Sequence, residues 1–164
     1  MRIKLSIHAG AKITEVFALL KKIEMNGFEE ESQSIVYALI ELISNSLRAQ
    51  RSKKVNIPVQ LIMEIKDNTF LAMIKDHGGG FDPGKLPYDI SMPAEKIDTQ
   101  SHEFKEYREK TNNKHFGLGI YIAKKIFDKL SISFFDGEET QTKTYSPSIQ
   151  GTIIKCSLKI GAKK

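Results

Sequence analysis

The feature that most constrains this chain is a single change of hydrophobic period near Val55. Upstream, Ile35, Val36, Leu39, Ile40, Leu42, Ile43 and Leu47 recur at helical spacing, one apolar side of a helix that Ser32 opens and that runs to about Arg51. Downstream, Val55, Ile57, Val59, Leu61, Met63 and Ile65 alternate strictly, Asp67-Asn68 makes a turn, and Phe70, Ala72 and Ile74 resume the alternation. That pattern predicts an antiparallel hairpin. The flanks supply the remaining elements. Ile3, Leu5 and Ile7 read as a half-buried strand, and Thr14 can cap a helix carrying Val16, Phe17, Leu19, Leu20 and Ile23 that stops at Asn26-Gly27. After Gly119 a helix places Ile120, Ala123, Ile126, Phe127 and Leu130 on one side, and strands follow at about 131–135 and 152–159. Helices early and strands late predict an α+β fold, a layer of helices over one mostly antiparallel sheet.

Composition narrows the class. At 164 residues with 40% apolar content, the chain reads as one domain, residues 1–164, able to build its own core. Cys156 is the single cysteine, which excludes an intramolecular disulfide and a cysteine-rich zinc site and points to the cytoplasm. The net charge of +5 comes partly from Lys-Lys pairs at 21/22, 53/54, 124/125 and 163/164, so it reads as scattered. With no tryptophan and no basic run longer than two, a nucleic-acid footprint is not expected. No window approaches the ~20 apolar residues of a membrane span.

Three motifs can carry chemistry. Glu41, Asn45 and Arg48 stand at i, i+4 and i+7 of the long helix, in one stripe opposite the apolar arc. A carboxylate, a neutral oxygen ligand and a guanidinium suit magnesium-dependent phosphate chemistry, and they equally suit a solvated helix face. Asp76-His77-Gly78-Gly79-Gly80-Phe81 closes the hairpin, its glycines opening the backbone to a flat ligand, with a tight turn capped by Asp76 as the alternative. Phe116-Gly117-Leu118-Gly119 begins a helix, where free amides form an anion site. Between the last two lies a polar stretch, about 82–115, of the length expected of a lid. His77, His102 and His115 lack metal-ligand spacing and read as surface histidines.

In order and spacing these motifs, with Gly151-Thr152, resemble the GHKL ATPases. The stretch Glu41 to Arg48 looks like the family's N box, Asp76 to Phe81 its Asp-x-Gly-x-Gly-Phe box, and Gly117-Leu118-Gly119 its second glycine box, which here has His115 where a glycine is usual. The resemblance implies an α/β sandwich, the Bergerat ATP-binding fold, with ATP between sheet and helices. It implies that Asn45 coordinates Mg²⁺, that Asp76 accepts a hydrogen bond from the adenine amine with Thr152 in support, and that Gly78, Gly80, Phe81, Gly117, Leu118 and Gly119 shape the nucleotide loops. The stand-alone size and Glu41 are most similar to the anti-sigma serine kinases, which phosphorylate an anti-anti-sigma partner and bind a sigma factor. On that reading Glu41 takes the serine proton, Arg48 holds phosphates from below, and Arg108 and Lys114 are the lid cations. A histidine kinase-like ATP-binding module acting on a separate partner and a nucleotide-dependent binding protein are the other readings. The oligomeric state, a homodimer included, stays open.

Overall fold

The computed structural model describes residues 1–110 and 118–160. Its element order is β1 (Arg2–Ile7), α1 (Ile13–Leu20), α2 (Ser32–Ser52), β2 (Val59–Lys66), β3 (Thr69–Asp76), α3 (His102–Lys110), α4 (Leu118–Ile126), β4 (Lys129–Phe135), β5 (Gln141–Thr142) and β6 (Gly151–Lys159). The six strands form one antiparallel sheet in the order β1-β2-β3-β6-β4-β5. This is the α+β sheet-and-helix fold that the periodicity predicts.

The hairpin sits where alternation placed it. Lys66 pairs with Thr69, and the two residues between them, Asp67 and Asn68, both have positive φ (49° and 55°), the twist-compatible two-residue turn. Its inner face meets α2. Leu39, Leu42 and Ile43 of the helix and Leu61, Met63 and Phe70 of the hairpin are fully buried in one core. Phe70 lies between Phe28 and Phe127, ring centroids 6.1 and 6.2 Å away. Cys156 belongs to this core, where burial pushes its thiol up to about 12, so it packs as a small hydrophobe. Among the described residues no helix is long and apolar enough to cross a membrane.

Several boundaries differ from expectation, each for a local reason. Thr14 does not cap α1. Lys12 holds the N-cap position without a side-chain bond, and the helix entry is fixed by the Arg51 guanidinium, which donates to the carbonyls of Ala9 and Ala11 at 2.9 and 2.6 Å. The helix ends at Leu20 and not at Asn26-Gly27, because tighter turns take over, Lys22 donating to Leu19 and Ile23 to Leu20. Val16 and Leu20 are its buried residues, and Phe17 and Leu19 remain exposed. At the end of α2, Lys54 takes a left-handed φ of 55° and the Val55 amide folds back onto the Gln50 carbonyl at 2.9 Å. That turn draws Val55 out of the hairpin, so β2 starts only after Pro58. Leu130 belongs to β4 and not to α4, which closes with the Phe127 amide on the Ala123 carbonyl.

The stretch from Asp82 onward is not featureless. It forms short turns at 83–85 and 94–96 and then α3, whose Phe104 is fully buried and stacks on Tyr88 at 5.7 Å. Lys124 of α4 ties the segment down by donating to the Ile90 carbonyl at 2.7 Å.

Candidate functional site

Asp76, the last residue of β3, turns its side chain toward the helices and is 5% exposed. Its two oxygens have separate partners. Oδ2 accepts from the Ser46 hydroxyl of α2 at 2.7 Å, and Oδ1 accepts from the Gly78 amide at 2.9 Å. Thr152, its register partner on β6, is buried beside it. Burial pushes the Asp76 carboxyl above its ordinary value, opposed by the Gly78 amide, the Ser46 hydroxyl, the neighbouring His77 and the Thr152 backbone. A buried carboxylate held this way keeps lone pairs for one more donor.

The glycines are where side chains do not fit. A Cβ on Gly78 would stand 2.4 Å from the Ala49 methyl, and one on Gly151 would stand 1.9 Å from the Asp76 carbonyl oxygen. Gly80 has φ +69° and faces Ile149 and Phe134. The loop after β3 thereby lies flat against α2 and β6. Above it opens a cavity of about 540 Å³, within the range of small-molecule sites.

The cavity brings together most of the residues singled out in the sequence. Asn45, Arg48, Asp76, Gly78, Gly80, Phe81 and Thr152 line it. Glu41 stands one helical turn before Asn45, half-buried, and both touch α4 at Gly119: a Cβ there would lie 2.8 Å from Asn45 Nδ2 and 3.4 Å from Glu41 Cβ. Asn45 Oδ1 accepts from Arg48 Nη1 at 3.4 Å. Among the described residues Glu41, Arg108, Leu118 and Gly119 do not line the cavity; α4 contributes Ile120 and α3 contributes Tyr107, the neighbour of Arg108. Lys114 and Gly117 lie outside the described residues.

His77 departs from the surface reading. Its ring packs edge-on against Phe135 at 5.1 Å, and Nδ1 is buried without a hydrogen-bond partner. Burial, then the Lys75 ammonium, push its pKa down, with Glu139 and Asp76 acting in opposition. Among the described residues no three His, Cys, Asp or Glu side chains gather as a metal site.

Residue-type reasoning missed several participants. Ser46 was legible only as a small polar residue beside Asn45, and the structure makes it the clamp on Asp76. Gln50 is fully buried on the core side of α2, its Oε1 accepting from the His77 amide at 2.8 Å and its Nε2 donating to the Ile57 carbonyl. A polar residue at a core position of an otherwise apolar arc was the available signal. Lys53, Lys85 and Tyr107 line the cavity with no motif to announce them.

The description histidine kinase-like ATPase domain belongs to the family whose model matches residues 11–144, a span containing Asn45, Asp76 and the loop after it. No curated protein matches the chain. With that match over most of its length, and with a helix, a buried strand-end aspartate and a glycine loop around one cavity, the chain belongs to the histidine kinase-like ATPase domain family.

Proposed function

We propose that the cavity binds ATP and that the protein is a cytoplasmic regulatory kinase of the anti-sigma type, transferring the γ-phosphate to a serine of a protein partner. The observation that carries this reading is the placement of Glu41 and Asn45, one turn apart on α2, against Gly119 at the start of α4 and next to the cavity that holds Asp76. A carboxylate there supplies a proton acceptor that a binding site alone does not need.

In this reading Asp76 accepts from the adenine amine and Thr152 supports it. Gly78 and Gly80 let the backbone approach the base, Phe81 closes its edge, and the Gly117, Leu118 and Gly119 motif is assigned to the phosphates. The donor set fits magnesium carried in with the phosphates: Asn45 offers one neutral oxygen, and no cluster of carboxylates competes for it among the described residues. Asn45 would hold the ion, which offsets charge on the β- and γ-phosphates. Arg48 clamps phosphate from α2, and Arg108 and Lys114 are the cations offered by the segment that follows. Glu41 takes the proton from the serine hydroxyl as the oxygen–phosphorus bond forms and the bond from the γ-phosphorus to the bridging oxygen breaks, releasing ADP. The substrate is an anti-anti-sigma-type protein, and a sigma factor is the second partner.

The test is Glu41→Gln, which keeps shape but cannot accept a proton. Transfer to the serine partner falls by roughly 10² to 10⁴ with ATP affinity unchanged. Full transfer by the variant, or an acid-labile phosphate on the partner, would overturn the serine-kinase assignment.

A further inference from the structure

We propose that the open face of the sheet docks an acidic amphipathic helix of a protein partner. Strand alternation divides the sheet into two faces, and the helices cover one of them. On the other, the registers lay out continuous rows. One row runs Lys4, Ile62, Met73, Lys155, Ser131 across β1, β2, β3, β6 and β4, and the next runs Arg2, Glu64, Leu71, Ser157, Lys129. Lys66 and Lys159 flank Thr69 at one end, and Lys75 stands toward the other. Arg2, Lys4, Lys129 and Lys155 are exposed, and Leu71 is 40% exposed. Ile62, Leu71 and Met73 are not part of the hydrophobic core.

The charge on this face is lopsided. Its strand positions carry seven cations, Arg2, Lys4, Lys66, Lys75, Lys129, Lys155 and Lys159, against Glu64 alone, and Glu139 of the β4–β5 turn pairs with Lys75 at 2.7 Å. Setting these nine aside leaves eighteen basic and eighteen acidic residues in the rest of the chain. The whole net charge of +5 therefore sits here. In the sequence it looked scattered, yet none of the seven belongs to a Lys-Lys pair; folding gathers them.

The pattern suits a helix. Ile62 and Met73 are register partners on adjacent strands, roughly 5 Å apart, close to the spacing of successive side chains on one helix face. The cations of β1 and of β6 bracket this strip across three strand spacings, roughly 14 Å, slightly wider than a helix of about 10–12 Å. An apolar stripe with acidic borders matches both features. A second copy of the chain would bring seven cations against seven. A nucleic acid would meet aliphatic side chains at the centre, since Phe135, the aromatic of this face, is buried. Asp76, Thr152 and Ile154 point into the cavity on the opposite face, so this inference stands apart from the nucleotide site.

The experiment uses the full chain and a fluorescein-labelled synthetic helix of about 18 residues, leucines at helical spacing bordered by glutamates. Its anisotropy is read against a scrambled peptide of equal composition, a single-stranded DNA oligonucleotide, and phosphatidylserine/phosphatidylcholine vesicles. The helix binds, more weakly in high salt, and binds better than the other three probes. Lys4→Glu with Lys155→Glu, and separately Leu71→Ser, each weaken it by roughly tenfold, while melting and its shift with Mg-ATP stay as in the wild type. No binding at low salt, equal binding of the scrambled peptide, tighter binding of DNA or vesicles, a wild-type dimer that these substitutions abolish, or unaltered affinity in the variants would each overturn the proposal.

Discussion

Gly78→Ala tests the packing that shapes the cavity. The added methyl would stand 2.4 Å from the Ala49 Cβ, 3.0 Å from the Ala49 carbonyl carbon and 3.2 Å from Asp76 Oδ1. Carbon atoms prefer about 3.5–4.0 Å, so the overlap exceeds an ångström against a methyl fixed to a 21-residue helix. Gly78 is not in the left-handed region, so the penalty is steric and not conformational. Overpacking of this kind costs about 1–3 kcal/mol, and at this chain length each kcal/mol lowers the melting temperature by roughly 2–4 °C. Ala49→Gly removes the nearest clash and by itself costs about 1 kcal/mol of helix propensity. The double variant is therefore more stable than the two single effects sum to, with a coupling on the order of 1 kcal/mol. Thermal melts of the four proteins measure this cycle. A Gly78→Ala protein as stable as the wild type, or strictly additive effects, would refute the reasoning that the loop lies against α2.

Two further substitutions follow from the buried ionisable groups. Asp76→Asn keeps a carbonyl oxygen for the Gly78 amide and gives its new NH₂ to the Ser46 hydroxyl, which can rotate to accept. Burial raises the Asp76 pKa, so its ionisation costs stability as pH rises through the folded value; without nucleotide the variant melts no lower than the wild type at neutral pH, and a clear drop would contradict this. His77 has the opposite sign: its folded pKa lies below the ordinary 6.5, so the unfolded chain binds more protons, and stability present above that value is lost as pH falls below it. His77→Gln flattens the fall in melting temperature between about pH 7 and pH 5, and identical slopes would rule out this linkage.

What the sequence made legible were the long periodic elements. Seven apolar residues on α2 and strict alternation through β2 and β3 place these elements within a few residues, because packing of each follows its own period. Short elements set by tertiary contacts were not readable. The entry of α1 depends on Arg51 and not on Thr14, and the two-residue β5 is too short to show a period. α3 lay hidden in the charged run from Glu103 to Lys110, with Phe104 and Tyr107 one turn apart as its trace. Of the residues that line the cavity, Asn45, Asp76, Gly78 and Gly80 stand out in the sequence by type and spacing. Ser46 and Gln50 did not, since their roles are hydrogen bonds to residues about thirty positions away.

The central claim is that the cavity at Asp76 binds ATP. It is tested most directly by thermal unfolding of the wild type and Asp76→Asn with increasing Mg-ATP. At a hundred times its dissociation constant, a ligand of the native state stabilises by about 2.7 kcal/mol, so the wild-type transition rises with ligand concentration. If Asp76 accepts from the adenine amine as proposed, Asp76→Asn replaces one accepting oxygen by a donor, so its rise is delayed to higher concentration or lost. A wild-type transition that does not move in millimolar Mg-ATP, or a variant that shifts as far as the wild type, would contradict the account.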